Sequence, residues 1–239
     1  MNNTRLVKVF VGAMTLGAVA VAGYATTASH TLHPYLALAV LALAAATSRM
    51  KVKLPGINGN MSVNLPFLLA AIVNLSAAEA VAVAAIATVV QCWPKDGAKF
   101  KPQQMVFNVS MMAIGSGLAS IMFHAAWGGK TLELAVATAT LFLGQTVPVA
   151  AIIGLSEGKS AGPVWFEVAH LSFPYYVIAA GMTSMLEAVG SHLGWGLALA
   201  VFPVMYGVHR SYRMYFGRLA EPLAPEPVRV VVRAAGAGA

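Results

Sequence analysis

Five side chains stand out as able to do chemistry: Asn74, Glu79, His124, Gln145 and Glu187, each inside or at the end of a long apolar run. A polar or ionisable group in a bilayer is costly, so it is a functional candidate by default. Carboxylates and an imidazole suggest charge and hydrogen bonds offered to a small ligand, because binding clefts pair an apolar wall with a few convergent polar groups. Asn74, Glu79, His124 and Glu187 are expected near one face of the membrane, with His30, His33 and His192 in the loops beside them. Two readings stay open: an outward-facing ligand cavity, or interfacial groups that simply meet water. Gln145, three residues before Pro148, either satisfies a neighbouring helix or faces a cavity. Asn64 and Asn108 stand near the starts of their segments, where a side-chain amide can cap or cross-link helices.

The same residues exclude several chemistries. No His-x-His, HExxH or comparable spacing points to a metal. The single cysteine, Cys92, can make neither an internal disulfide nor a CxxC site, and reads as a small buried apolar residue. No GxSxG, phosphate-binding loop, kinase motif or paired carboxylate is present, so no catalytic residue, cofactor or metal is assigned and the chain is not read as an enzyme.

These side chains need helices to hold them. Of 239 residues, 59% are apolar and 10% charged, against about 25% charged in a soluble domain. The pattern predicts an all-α integral membrane protein, a bundle of about eight segments near 9–28, 34–48, 63–76, 77–93, 105–126, 132–154, 170–190 and 193–209. The first run, longer than a signal-peptide core, is read as an uncleaved span. Pro34, Pro66 and Pro174 are expected in first turns, Pro94 just past a last turn, and Pro148 and Pro203 inside their helices.

The run from Leu65 to Trp93 decides the count. It holds 29 residues, about 43 Å as one helix against a core of about 30 Å. Its middle, "NLSAAE", would place Glu79 at the bilayer centre, so two short segments, 63–76 and 77–93, turning near Asn74–Ala78, are expected. That layout puts Lys95, Lys99 and Lys101 on the same side as Arg49, Lys51 and Lys53. Fourteen of the fifteen Lys and Arg residues, all but Lys130, then lie on the cytoplasmic side, as the bias for positive cytoplasmic loops requires. The net charge of +7 therefore speaks for orientation. With no aromatic-basic motif, nucleic acid is not an expected partner.

Gly115 and Ala119 form a small-xxx-small pair, which suits internal packing or a homodimer contact. After the last segment, Arg210, Tyr212, Arg213 and Tyr215 recur at helical spacing, a juxtamembrane stalk suited to anionic lipid and headgroups. The membrane domain is set at 1–219, and 220–239 is a Pro/Ala/Gly tail expected to be disordered.

Several stretches together resemble a bacterial family: "SVNLPFLLAAIVNLSAAEAVAVAAIATVV" (62–90), "FNVSMMAIGSGLASIMF" (107–123), "FLGQTVPVAAIIGLSEGKSAGPVW" (142–165), "FPYYVIAAG" (173–181) and "FPVMYGVHRSYRMYFGRL" (202–219). They look like the multi-span sensor domains that precede GGDEF and HD-GYP domains, which in turn are similar to the substrate-binding components of energy-coupling-factor transporters. The resemblance implies a membrane module that senses or binds a small molecule; with the charge pattern and the polar groups expected at the outer face, the expectation is a sensor-type module in the bacterial inner membrane, both termini cytoplasmic, that binds its ligand from the outer side and signals through the extension of its last helix. In relatives the arginine-tyrosine string runs into a catalytic domain. Here it runs into "AEPLAPEP", so a separate signalling or ATPase partner is implied. The alternatives are an uptake component working with an energy-coupling unit, and a membrane structural protein without a ligand.

Overall fold

The computed structural model describes residues 3–29, 31–53, 60–94, 99–125 and 128–193, together with residues 203, 204, 206, 207, 210, 211 and 214. Among the described residues up to 193, seven α-helices follow in chain order: α1 (Asn3–Ala28), α2 (Pro34–Ser48), α3 (Leu65–Asn74), α4 (Ala77–Cys92), α5 (Pro102–Phe123), α6 (Lys130–Glu157) and α7 (Ala161–Leu193). Three of them, α1, α5 and α6, are long and apolar enough to cross a membrane, and α2, α3 and α4 are shorter apolar helices. Large apolar side chains such as Val9, Leu16 and Val19 on α1 and Leu143 and Val147 on α6 point outward, as lipid-facing residues do. The predicted segment 193–209 and the tail 220–239 lie almost wholly outside the described residues, as do Tyr212, Arg213 and Tyr215 of the stalk.

The expected break in the third apolar run is present. Leu75 and Ser76 adopt extended backbone angles between α3 and α4. The run also turns back: Leu65 and Gln91, near its two ends, line the same cavity, while Asn74–Ala77 pack beside the C-terminal ends of α1 and α5. The bundle therefore has a basic end, where Val7 of α1 and Lys101 before α5 line the same cavity, and an opposite end holding the α3–α4 turn.

Two features departed from expectation. The link after α2 forms an antiparallel hairpin, β1 (Lys51–Lys53) with β2 (Asn60–Ser62), in the register Lys51↔Ser62; strands of three residues are too short to show an alternation in sequence. And α7 starts at Ala161, well before 170, so Pro174 is interior instead of in a first turn. Glu167 and His170 lower the hydropathy there, but both are exposed, and solvent-facing polar groups do not interrupt a helix. The interior position of Pro148 in α6 matches expectation.

The core is built on close approaches and on α3. Residues Leu65 to Ile72 are all buried. Gly115 of α5 meets Gly144 of α6 backbone to backbone: a Cβ on Gly144 would lie 3.1 Å from the Gly115 Cα. Ala119 is fully buried. The small residues of α5 thus serve contacts within the chain. At the end of α6, Gly158 takes φ +68° as the left-handed cap that lets the chain reverse into α7.

Candidate functional site

Three helices present one polar stripe each to a common space. On α5, Gln104, Phe107, Asn108, Met111 and Met112 share a face; on α6, Gln145, Thr146, Val149 and Ile153; on α7, Val168, Ser172, Tyr175 and Tyr176. Each set follows the three- and four-residue steps of a helical face. The start of α3, with Asn64, Leu65 and Leu68, closes the fourth side, and Gln91 of α4 and Val7 of α1 complete the rim. Together they enclose a cavity of about 710 Å³. From Pro102 to Met112, and from Ser156 to Gln145, the walls run roughly 15 Å along the helices, so the space reaches from the basic end toward mid-bundle.

Local chemistry fixes the walls. Trp165 donates from Nε1 to Thr146 Oγ1 at 3.1 Å, tying α7 to α6. The Tyr175 hydroxyl accepts from the Leu65 backbone N–H at 3.3 Å, satisfying a donor in the first turn of α3. Phe142 packs edge-on against Tyr176, ring centres 5.1 Å apart. Two amide nitrogens of this wall, both sealed from solvent, have no hydrogen-bond partner, and neither has the Ser120 hydroxyl at the opposite end. Asn64 is 4% exposed, yet its Nδ2 has no partner, and neither has the buried Nε2 of Gln145. Asn64 does occupy the N-cap position of α3, but its side chain makes no capping bond, so the cap role foreseen for it is not the one it plays. Asn108 donates to Cys92 Sγ at 3.3 Å, a cross-link between α5 and α4, and Cys92 is half-buried. Among the described residues no carboxylate lines the cavity, and Lys101 is its one formal charge, at the mouth.

The sequence candidates fall into two groups. Asn74, Glu79, His124 and Glu187 gather at the opposite end; Gln145 belongs to the amide cavity. Asn74 donates from Nδ2 to Glu187 Oε1 at 2.5 Å, joining α3 to α7. Glu79 forms a capping box: its Oε2 accepts from the Ser76 backbone N–H at 3.1 Å and from the Ser76 hydroxyl at 2.7 Å. Its Oε1 accepts from the His33 backbone N–H at 2.6 Å, holding the start of α2 against α4. The His124 Nδ1 is 2.8 Å from the Ser120 carbonyl, and its ring lies edge-on to Phe123. Asn74 and His124 line a recess of about 470 Å³ with Tyr24, Ser29 and Ser120; Glu79 and Glu187 sit just behind it. Arg210 is helical and exposed.

Sequence reasoning missed two things. "SAAE" at 76–79 is a capping-box signature, which gives Glu79 a structural task. Gln91, Gln103, Gln104 and Asn108 flank one basic loop, and that clustering of amides was the available sign of the cavity. Among the described residues no group of three His, Cys, Asp or Glu converges as metal ligands would. Set against protein-family models, characterised proteins and solved structures, the chain matches none.

Proposed function

We propose that the chain is a non-catalytic, small-ligand-binding module of the bacterial inner membrane, with eight segments, cytoplasmic termini and its ligand in the amide-lined cavity between α3, α5, α6 and α7. The observation that carries this is a cavity of about 710 Å³ walled mainly by apolar and aromatic side chains, with a few amides, Asn64, Asn108 and Gln145 among them. Ligand pockets are typically about 300–1,000 Å³, mostly apolar, with a few placed polar groups. By the charge pattern its mouth faces the cytoplasm. Entry from that side is favoured over the outer-side entry expected from the sequence, because the outer recess is smaller and its Asn74 already bonds within the protein. The sensing part of the proposal rests on α7, which forms one wall and leads in sequence to the stalk at Arg210, Tyr212, Arg213 and Tyr215. A ligand that shifts α7 would thereby reach a separate signalling partner.

A second reading is an uptake component paired with an ATPase unit. It is favoured by the recesses at both ends of α3, an arrangement suited to alternate opening.

Cysteine accessibility tests the site. In a Cys92→Ala background, Ile153→Cys, at a half-buried position in the cavity wall, should react with a membrane-impermeant maleimide in inside-out vesicles and much more slowly in right-side-out ones. Lys159→Cys, on the exposed α6–α7 turn, is the control. An Ile153→Cys protein unreactive from either side, with the control labelled, would remove the cavity as a site.

A further inference from the structure

The cavity changes character from mouth to floor. Lys101, Gln103, Gln104 and Ser156, at the basic end, are exposed, whereas Leu68, Phe107, Met111, Met112, Tyr175 and Tyr176, farther along the walls, are buried. Three hydroxyls belong to the inner part, and each is engaged within the protein. Ser172 donates to the Val168 carbonyl at 2.7 Å, Thr146 donates to the Phe142 carbonyl at 2.8 Å and accepts from Trp165, and Tyr175 accepts from the Leu65 N–H. The floor therefore offers a ligand aromatic surface and adaptable thioethers more than hydrogen bonds, and a charge carried there would lose its hydration without gaining a partner. The mouth offers the opposite. Lys101 is its formal charge among the described lining residues. Glu157, next to Ser156 on the rim, is bonded to Lys159 Nζ at 2.6 Å and does not line the cavity. Lys101 is also the N-cap residue of the 22-residue α5 and makes no side-chain capping bond, so the positive end of that helix dipole lies at the same place.

We propose that the cavity takes a small amphipathic organic acid, its carboxylate held at the mouth by Lys101 and its apolar body lodged among Phe107, Met111, Met112 and Tyr176. The inference rests on the cavity being the binding site, as proposed above, and adds the chemical class of the ligand. One lysine balances one negative charge, so the ligand is a monoanion. A cation would meet a like charge on entry, and a ligand polar along its whole length would find the inner hydroxyls already taken.

The test uses the full chain in nanodiscs of neutral lipid, with empty discs subtracted, and three probes of similar size: 2-naphthoate, 2-naphthalenemethanol and 2-naphthylmethylammonium. Saturable naphthoate binding is expected, roughly two- to fivefold tighter than that of the alcohol, the worth of an ion pair open to water, with the ammonium weakest. Lys101→Gln, at an exposed position where folding is not at stake, should bring naphthoate and the alcohol level, and salt at about 1 M should narrow the gap in the parent. In the Cys92→Ala background, naphthoate should slow maleimide labelling of Ile153→Cys and leave that of Lys159→Cys unchanged. Equal binding of acid and alcohol, or a preference for the acid that survives Lys101→Gln, overturns the anion reading and leaves an apolar pocket. Naphthoate binding that does not slow Ile153→Cys labelling overturns it as well, because the probe then sits elsewhere. No binding of any probe while Ile153→Cys still labels overturns it alone. No binding and no labelling overturn both this inference and the proposed site.

Discussion

Replacing Glu79 by alanine removes the acceptor for three donors at once: the Ser76 backbone N–H at 3.1 Å, the Ser76 hydroxyl at 2.7 Å and the His33 backbone N–H at 2.6 Å. Loss of a capping interaction costs about 0.5–2 kcal/mol. A hydrogen bond to a charged acceptor adds about 1.5–3 kcal/mol when buried, but Glu79 is half-exposed and water replaces part of that. The expected cost of Glu79→Ala is about 2 kcal/mol in global stability. Glu79→Gln keeps one oxygen acceptor and should recover roughly half of it. Reversible unfolding in mixed micelles, followed by circular dichroism, measures both. The order parent, Glu79→Gln, Glu79→Ala is the signature of a carboxylate that fastens the α3–α4 turn to the start of α2. A Glu79→Ala protein within about 0.5 kcal/mol of the parent, the ordinary scatter of surface substitutions, would refute this reasoning and return Glu79 to the list of ligand-binding groups.

Other outcomes follow from single contacts. Asn74→Leu strands the Glu187 carboxylate and should cost about 1–3 kcal/mol, whereas adding Glu187→Leu should cost less than the sum, a coupling of about 1 kcal/mol in a double-mutant cycle. Gly144→Ala drives a methyl to 3.1 Å from the Gly115 Cα and should destabilise by about 1–3 kcal/mol. Gly181→Ala, with nothing within 4 Å, should be neutral or stabilising by about 0.5 kcal/mol; thermal unfolding compares the two. A reporter inserted after Ser76 should be active only on the outer side and one inserted after Lys99 only on the inner side, and matching activities would overturn the turned-back arrangement of α3 and α4.

Much of the helical layout was legible because it follows from hydropathy and punctuation. Pro34 opens α2 at its first residue, and the break between α3 and α4 falls at Leu75–Ser76 because a carboxylate three residues after a serine both ends a membrane run and caps a new helix. What escaped has a common cause. Hydropathy measures lipid exposure, and helicity continues where lipid stops. Residues Ala161–Ala169 extend α7 on a solvent-facing side, and Pro102 starts α5 three residues ahead of its apolar run, using a position whose missing N–H needs no partner. The hairpin of three-residue strands carries too little pattern to be seen.

The candidate site was less legible, because cost alone does not distinguish a polar group that is used from one that is satisfied. Charged side chains drew the eye to Glu79 and Glu187, yet both are engaged by neighbours. Among the described residues the buried polar atoms without a partner are the amide nitrogens of Asn64 and Gln145, two cavity-lining residues, and the Ser120 hydroxyl beside the opposite recess, and no spacing along one helix reveals them. The geometry of α3 connects the two ends. It is a ten-residue helix, about 15 Å long, so it spans only half of a ~30 Å hydrocarbon core. Asn64 at its start faces one recess and Asn74 at its end the other. Three hydrogen bonds join it to α7: Leu65 N–H to the Tyr175 hydroxyl, the Thr183 hydroxyl to the Pro66 carbonyl, and Asn74 to Glu187. A ligand lodged in the proposed cavity would bear on the helix that these bonds couple to α7, and α3 cannot tilt or slide without breaking them or carrying α7 along. In the proposed module, motion at the cavity is therefore shared with the helix that leads to the stalk, which makes the bonds between α3 and α7 the place where binding and output would be uncoupled by mutation.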